Sequence, residues 1–305
     1  MKSLSLYKTL FLTGLISLVL FYPFLGHVHL FDWDEINFAE AAREMIITGI
    51  FLDVQVNYEP FWEKPPLFIW LQVISMKLFG INEFAARFPN AVCGSISLML
   101  FVWIGKRLKN LNFGIFWALL YASSLLPQLY FKSGIIDPWF NLFIFTGIWL
   151  AIEYLNSYKN QKEKLKYIML SGAAIGLAIL TKGPVALLIF LLVASIYWAA
   201  EKFKLSFSLK AIGAFLFALT LVGGSWFIFQ ILSGRLDVVL DFIKYQIRLA
   251  QIQDSGHGGP FFYHWIILLI GCFPLSLIAI GKLLKIKHEG SIAGRFRFVM
   301  IILFW

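Results

Sequence analysis

"PPLFIWLQVISMKLFG", residues 65–80, is the stretch whose reading decides how the whole chain is arranged. It opens on two prolines, which cannot extend an upstream helix but start a new one well. As a helix it would be about 24 Å long, short of the ~30 Å hydrocarbon core of a bilayer. It also carries Gln72 and Lys77. If it crosses a membrane, every later loop changes sides; if it lies along the surface, none does.

The basic residues decide between the two. Place the N-terminus inside and residues 65–80 on the outer surface. The outer loops then hold Arg43, Lys64, Lys77, Arg87, Lys132, Lys182, Arg235, Lys244 and Arg248. The rest of the 26 Lys and Arg fall on the inner side, as the excess of positive charge in cytoplasmic loops requires. A crossing at 65–80 would invert that bias, so the stretch reads as an interfacial amphipathic helix. The acids divide the other way. Only Glu153, Glu163, Glu201 and Glu289 are inside, and the remainder of the 17 Asp and Glu are outside. Two causes fit this skew: solvation of the long outer loops 31–87 and 233–260, or an active site at the outer surface.

The spans themselves are read from composition. Only 14% of the 305 residues are charged, 18% are aromatic, and mean hydropathy is +0.78, whereas a soluble domain is about a quarter charged. Apolar runs at roughly 8–30, 88–105, 111–131, 135–155, 167–181, 184–200, 209–232, 261–284 and 296–305 predict an all-α, multi-pass transmembrane bundle, with interfacial helices in the first outer loop. No strand-like alternation of the porin type is present. The first apolar run is longer than a signal-peptide core and lacks a small-x-small cleavage site, so it reads as a retained span. The last residues stop within an apolar run, and 1–305 is read as the N-terminal part of a longer membrane domain. Cys93 and Cys272 both lie in apolar runs and form no metal or disulfide pattern. The net charge of +9 belongs mostly to loops facing anionic lipid and does not argue for nucleic acid. No glycine-rich phosphate loop points to a cytosolic nucleotide.

Five motifs gather on the outer side. In "DWDE…AEAAREM", Asp34 is placed to cap an amphipathic helix that lies on the membrane with Ile36, Ala39, Met45 and Ile46 as its apolar face; a carboxylate so held is also fit to act as a general base. In "FWEKPPL", Glu63 and Lys64 stand at a helix entry at headgroup depth, where Lys64 either snorkels or meets a phosphate. In "IIDPW", Asp137 stands at the outer end of a span, where an acid near hydrocarbon is costly and either caps the helix or serves function. In "LTKGP", Lys182 marks a tight outer turn from which its charge can reach headgroups or a phosphate. In "DSGHGGPFFYHW", His257 sits in a glycine-rich loop and could bind metal or phosphate; with Glu63 it makes two ligands, fewer than the three or four that zinc takes.

These motifs, "DWDEINFAEAAREM…TG", "EKPPLFIWL…KLFGINEFAARFPNAV", "IIDPW" and "LTKGP", resemble the bacterial membrane glycosyltransferases of the GT-C type, with aminoarabinose transferases and protein O-mannosyltransferases the nearest groups. The resemblance covers about residues 30–260. It implies transfer of a sugar from a polyprenyl-phosphate carrier to an acceptor lipid, glycan or protein, at the outer face of the cytoplasmic membrane. It implies Asp34, Glu35 and Asp137 as the catalytic carboxylates, with Asp34 the base and Glu35 supporting the helix or the hydrogen bonds of the site. Lys64 would bind the carrier phosphate, with Lys182, Lys244 or Arg248 compensating for Asn37, which stands where relatives often carry Arg. It implies Glu63 and His257 as ligands of a divalent metal ion. A transporter or flippase is the rival reading, but those tend to show internal repeats and polar midplane sites, whereas the charges here lie at one surface.

Overall fold

The computed structural model describes residues 5–202, 207–251, 263–277 and 291–304. Its elements are almost all helical. Helix α1 (Leu6–Phe21) leads to α2 (Trp33–Thr48), a two-stranded hairpin of β1 (Gln55–Val56) and β2 (Glu59–Pro60), and α3 (Leu67–Phe79). There follow α4 (Glu83–Leu108), α5 (Leu111–Ala122), α6 (Leu125–Tyr130), α7 (Asp137–Lys159), α8 (Leu165–Lys182) and α9 (Val185–Ala200). The last described elements are α10 (Leu209–Gly223), α11 (Ser225–Leu232), α12 (Leu236–Gln251), α13 (Tyr263–Gly271) and α14 (Ile292–Phe304). The chain is a multi-pass helical membrane protein.

Helices α4, α7 and α8 are each long and apolar enough to cross a bilayer, and α10 with α11 makes a fourth candidate, bent by 58°. The apolar runs read from sequence are longer than the helices that form within them. The run 111–131 breaks at Ser123 and Ser124 into α5 and α6, because both hydroxyls bond back to the carbonyl of Leu120 and compete with the helical ladder. The run 209–232 breaks at Gly224. The run 8–30 is helical only to Phe21, beyond which Phe24 takes a positive φ of 67°.

Helix α3, the deciding stretch, is 13 residues long, about 20 Å. Pro66 occupies its N-cap position. One face, with Phe68, Ile69, Gln72, Val73 and Met76, is buried against α2 and α4; Ile74 and Leu78 on the other remain exposed. The helix thus packs one face on protein and leaves the other open, where Lys77 stands between Ile74 and Leu78.

The largest core lies where α7, α8, α9, α10 and α14 meet, around Trp149, Tyr154, Ile175 and Phe190. Helices α8 and α10 approach backbone to backbone: a Cβ on Gly172 would lie 2.4 Å from the Phe215 carbonyl oxygen. Small residues are the means by which membrane helices come this close. The hairpin turns on Asn57 and Tyr58, both with positive φ (56° and 60°), the type I′ geometry that suits the twist of paired strands. Tyr58 is unusual there, and buried Glu44 compensates by accepting its N–H at 3.0 and 3.1 Å.

Candidate active site

The entrance to α2 begins the site. Asp32, with extended backbone, takes the N-cap position, and Asp34 falls in the first helical turn. The expectation that Asp34 is the cap is corrected by two residues. The helix also buries Phe38, Ala41, Ala42 and Met45 against protein, while Ile36 is exposed; its apolar face is therefore turned inward more than onto lipid. Among the described residues no hydrogen bond holds the Asp34 carboxylate. Its neighbours are charges. Burial raises its pKa above the ordinary aspartate value, the nearby Lys64 lowers it, Asp32 and Asp137 raise it, and Lys182 lowers it.

Lys64 comes from the loop that the double proline ends. Its side chain is 16% exposed and its Nζ lies 4.0 Å from Glu63 Oε2. Burial lowers its pKa below that of an ordinary lysine, opposed by Glu63 and Asp34. The ammonium also stands 5.7 Å from the centre of the Tyr245 ring on α12, and Arg248 approaches the same ring at 5.3 Å. Both are within reach of a cation–π attraction. Gln246 Nε2 donates to the Glu63 carbonyl at 3.4 Å, which ties α12 to the lysine loop.

Asp137 is the first residue of α7, with Pro138 behind it. Lys182 is the last residue of α8, before Gly183 with φ +91°, a conformation that favours glycine. The turn brings Lys182 Nζ to 2.7 Å from Asp137 Oδ1. Four sequence motifs, those of Asp34, Lys64, Asp137 and Lys182, thus meet in one cluster of mutually interacting charges, and α12 carries Arg248 beside it.

Glu35 goes elsewhere. It is fully buried and receives Nε and Nη2 of Arg87 at 2.7 and 2.9 Å, the Gly134 N–H at 2.6 Å and the Phe31 N–H at 3.3 Å. Arg87 spends its other donors on the carbonyls of Leu25, Val28 and His29. The residue before it faces the open cluster; Glu35 instead fastens the loop before α2 to α4 and to the loop before α7. Glu63 faces Lys64, and among the described residues no group of three or more His, Cys, Asp or Glu gathers to hold a metal. His257 lies outside the described residues.

Sequence reasoning missed Arg87, Tyr245 and the ion pair of Asp53 with Arg235, which anchors the start of α12. Arg87 was legible in principle, since an arginine within the apolar stretch "FAARFPNAV" needs a buried partner. Tyr245 and Arg235 carry no such signal.

The site is thus a polar charge cluster at one end of a helical membrane bundle. Residues 63–226 match the family model described as dolichyl-phosphate-mannose-protein mannosyltransferase, and the chain belongs to that family. It is 28% identical over 272 residues to the undecaprenyl phosphate-alpha-4-amino-4-deoxy-L-arabinose arabinosyl transferase of Erwinia tasmaniensis, covering 85% of this chain and 46% of the relative. The protein of the same description from Wigglesworthia glossinidia brevipalpis is 28% identical over 292 residues, covering 90% and 49%. The chain thus spans about half the length of these relatives. Among solved structures, ArnT from Cupriavidus metallidurans bound to undecaprenyl phosphate superposes with a TM-score of 0.77 at 21% identity, over 98% of this chain and 55% of that one. An Archaeoglobus fulgidus oligosaccharyltransferase gives 0.54 at 17% identity, over 98% and 39%.

Proposed function

We propose that this chain carries the catalytic end of an inverting glycosyltransferase that moves a sugar from a polyprenyl-phosphate carrier to a hydroxyl or lipid-phosphate acceptor. The carrying observation is the cluster of Asp34 with Lys64, Asp137 and Lys182. It pairs a half-buried carboxylate with cations suited to a phosphate, at the entrance of apolar helices suited to a polyprenyl chain. The relatives named for undecaprenyl-phosphate-dependent arabinosyl transfer support the choice of carrier.

In the proposed reaction Asp34 takes the proton from an acceptor hydroxyl as its oxygen attacks the anomeric carbon. The bond from that carbon to the phosphate oxygen breaks, and polyprenyl phosphate departs with the electron pair. Lys64 and Lys182, with Arg248 at the rim, stabilise the phosphate as its charge grows. An acceptor that is itself an ionised phosphate needs no proton removed, and Asp34 then only orients it. A carboxylate raised by burial is a stronger base than a solvated one while it stays ionised. Asp137 holds Lys182 and orients the acceptor; Glu35 positions the loop that bears Asp34.

The basic loops support an inward N-terminus and a site on the outer face of the cytoplasmic membrane. Glu63 and His257 remain the residues proposed for a divalent ion. Glu63 alone does not make a metal site, and an ion on it would face the Lys64 ammonium, so no step is routed through metal.

The test is transfer of radiolabelled sugar from undecaprenyl phosphate to envelope acceptors in membranes holding the full-length protein. Asp34→Asn should abolish transfer while membrane insertion is unchanged. Undiminished transfer by that variant removes Asp34 as base; movement of the lipid-linked sugar across the membrane without transfer would favour a flippase.

A further inference from the structure

The far end of the bundle holds a feature that the outer-face chemistry does not use. A cavity of about 310 Å³ lies between α7, α9, α10 and α14, lined by Ile148, Leu155, Phe190, Tyr197, Phe215 and Val299 among other apolar residues. On α7 it extends from Ile148 to Leu155, about 10 Å along the helix axis. Three of its lining residues, Leu191 on α9 and Ile212 and Leu216 on α10, are 48%, 46% and 51% exposed. The cavity therefore opens sideways between α9 and α10, toward the hydrocarbon.

The end of the cavity near Leu155, Tyr197 and Ala211 is the basic end of the bundle. Lys159 closes α7 and pairs with Glu201 at 2.9 Å, which also accepts from the Tyr197 hydroxyl at 3.0 Å. The Ser208 hydroxyl reaches Glu163, so the start of α10 joins the same layer. Lys162, Lys164, Lys202 and Lys210 are exposed around it. An all-apolar slot open to lipid, with ammonium groups at one end, is complementary to an acyl chain joined to an anionic headgroup. Juxtamembrane Lys and Arg attract such headgroups by about 1 kcal/mol each, or about fivefold in affinity.

We infer that this cavity binds one acyl chain of an anionic phospholipid from the leaflet that meets the lysine-rich end, with the headgroup held by Lys202, Lys210 and their neighbours. The site is separate from the charge cluster at Asp34 and does not depend on its chemistry.

The experiment reconstitutes the full-length protein in vesicles of phosphatidylglycerol and phosphatidylcholine whose acyl chains carry a photoreactive diazirine. Crosslinked peptides are mapped, and lipid retained after mild detergent extraction is counted by native mass spectrometry. The expected result is one retained phosphatidylglycerol and crosslinks concentrated at 190–197 and 211–216. Ala194→Trp, which fills the slot, should remove both. Lys202→Gln with Lys210→Gln leaves the packing untouched and should lower the preference for phosphatidylglycerol by about fivefold or more. Crosslinks spread evenly over the lipid-facing helices, retention unchanged in Ala194→Trp, or no headgroup preference in the parent protein would each overturn the inference. The same holds if a segment beyond residue 305 crosslinks to the slot in place of lipid.

Discussion

Lys182 and Asp137 close an ion pair of 2.7 Å between the end of α8 and the start of α7. Its side chains are 34% and 28% exposed, so the pair is open to exchange: a phosphate arriving at Lys182 competes with the Asp137 carboxylate. Partly exposed pairs of this kind are worth about 0.2–1 kcal/mol. Asp137→Asn should therefore tighten undecaprenyl-phosphate binding, by up to about fivefold, while lowering kcat. Isothermal titration in detergent and the transfer assay separate the two effects, and weaker carrier binding would show that Asp137 does not restrain Lys182.

The pH profile follows from the same cluster. A base must be ionised, so with Asp34 as the proposed base activity should fall as pH drops through its pKa. Burial raises that pKa, which places the acid limb above that of an ordinary aspartate. Lys64 lowers it and Asp137 raises it. Lys64→Gln should then move the acid limb of kcat/KM to higher pH, and Asp137→Asn should move it to lower pH. The alkaline limb reports Lys64, whose pKa burial lowers, and Lys64→Gln should remove it. The measurement is kcat/KM against pH for a hydroxyl acceptor, and limbs that stay in place in both variants would detach Asp34 from this titration.

The Arg87–Glu35 pair predicts a loss of stability instead of chemistry. Both side chains are buried, at 3% and 0% exposure. Removing one partner leaves a buried charge uncompensated, which costs about 3–5 kcal/mol. Arg87→Ala and Glu35→Ala should lower the thermal midpoint sharply and reduce the protein recovered from membranes, whereas Asp34→Asn should do neither. Normal stability in Glu35→Ala would show that the pair does not hold the loop before α2.

Helix contact gives the fourth expectation. Gly172→Leu would drive a side chain into the backbone of α10 at Phe215, and overpacking of this kind costs about 1–3 kcal/mol or more. A lower thermal midpoint is expected, and an unchanged one would mean that α8 and α10 separate freely.

The parts of this molecule that could be read from its sequence were those with one dominant cause. Apolar length makes a membrane bundle. Prolines start α3 and α7 where they stand. Lysine before Gly-Pro ends α8. The breaks at Ser123, Ser124 and Gly224 were hidden because hydropathy does not register a hydroxyl returning to the backbone or a glycine in an otherwise apolar run. Asp34 and Glu35 are adjacent in sequence, and a helix turns successive residues by about 100°, enough to send one to the charge cluster and the other into Arg87, a partner that the sequence did not name. Tyr245 came from a helix far along the chain, and only the fold sets it against Lys64.

The seam at Gly172 has a consequence for how such a protein can diversify. Because α8 and α10 meet backbone to backbone at Gly172, Lys182 rides on a close-packed helix pair, whereas Asp34 is borne by α2 and Lys64 by the loop between the hairpin and α3. One jaw of the vise thus stands on a helix pair and the other on α2 and the loops beside it. Descendants that come to handle a different sugar would be expected to accumulate their changes on the second jaw and to leave the first alone.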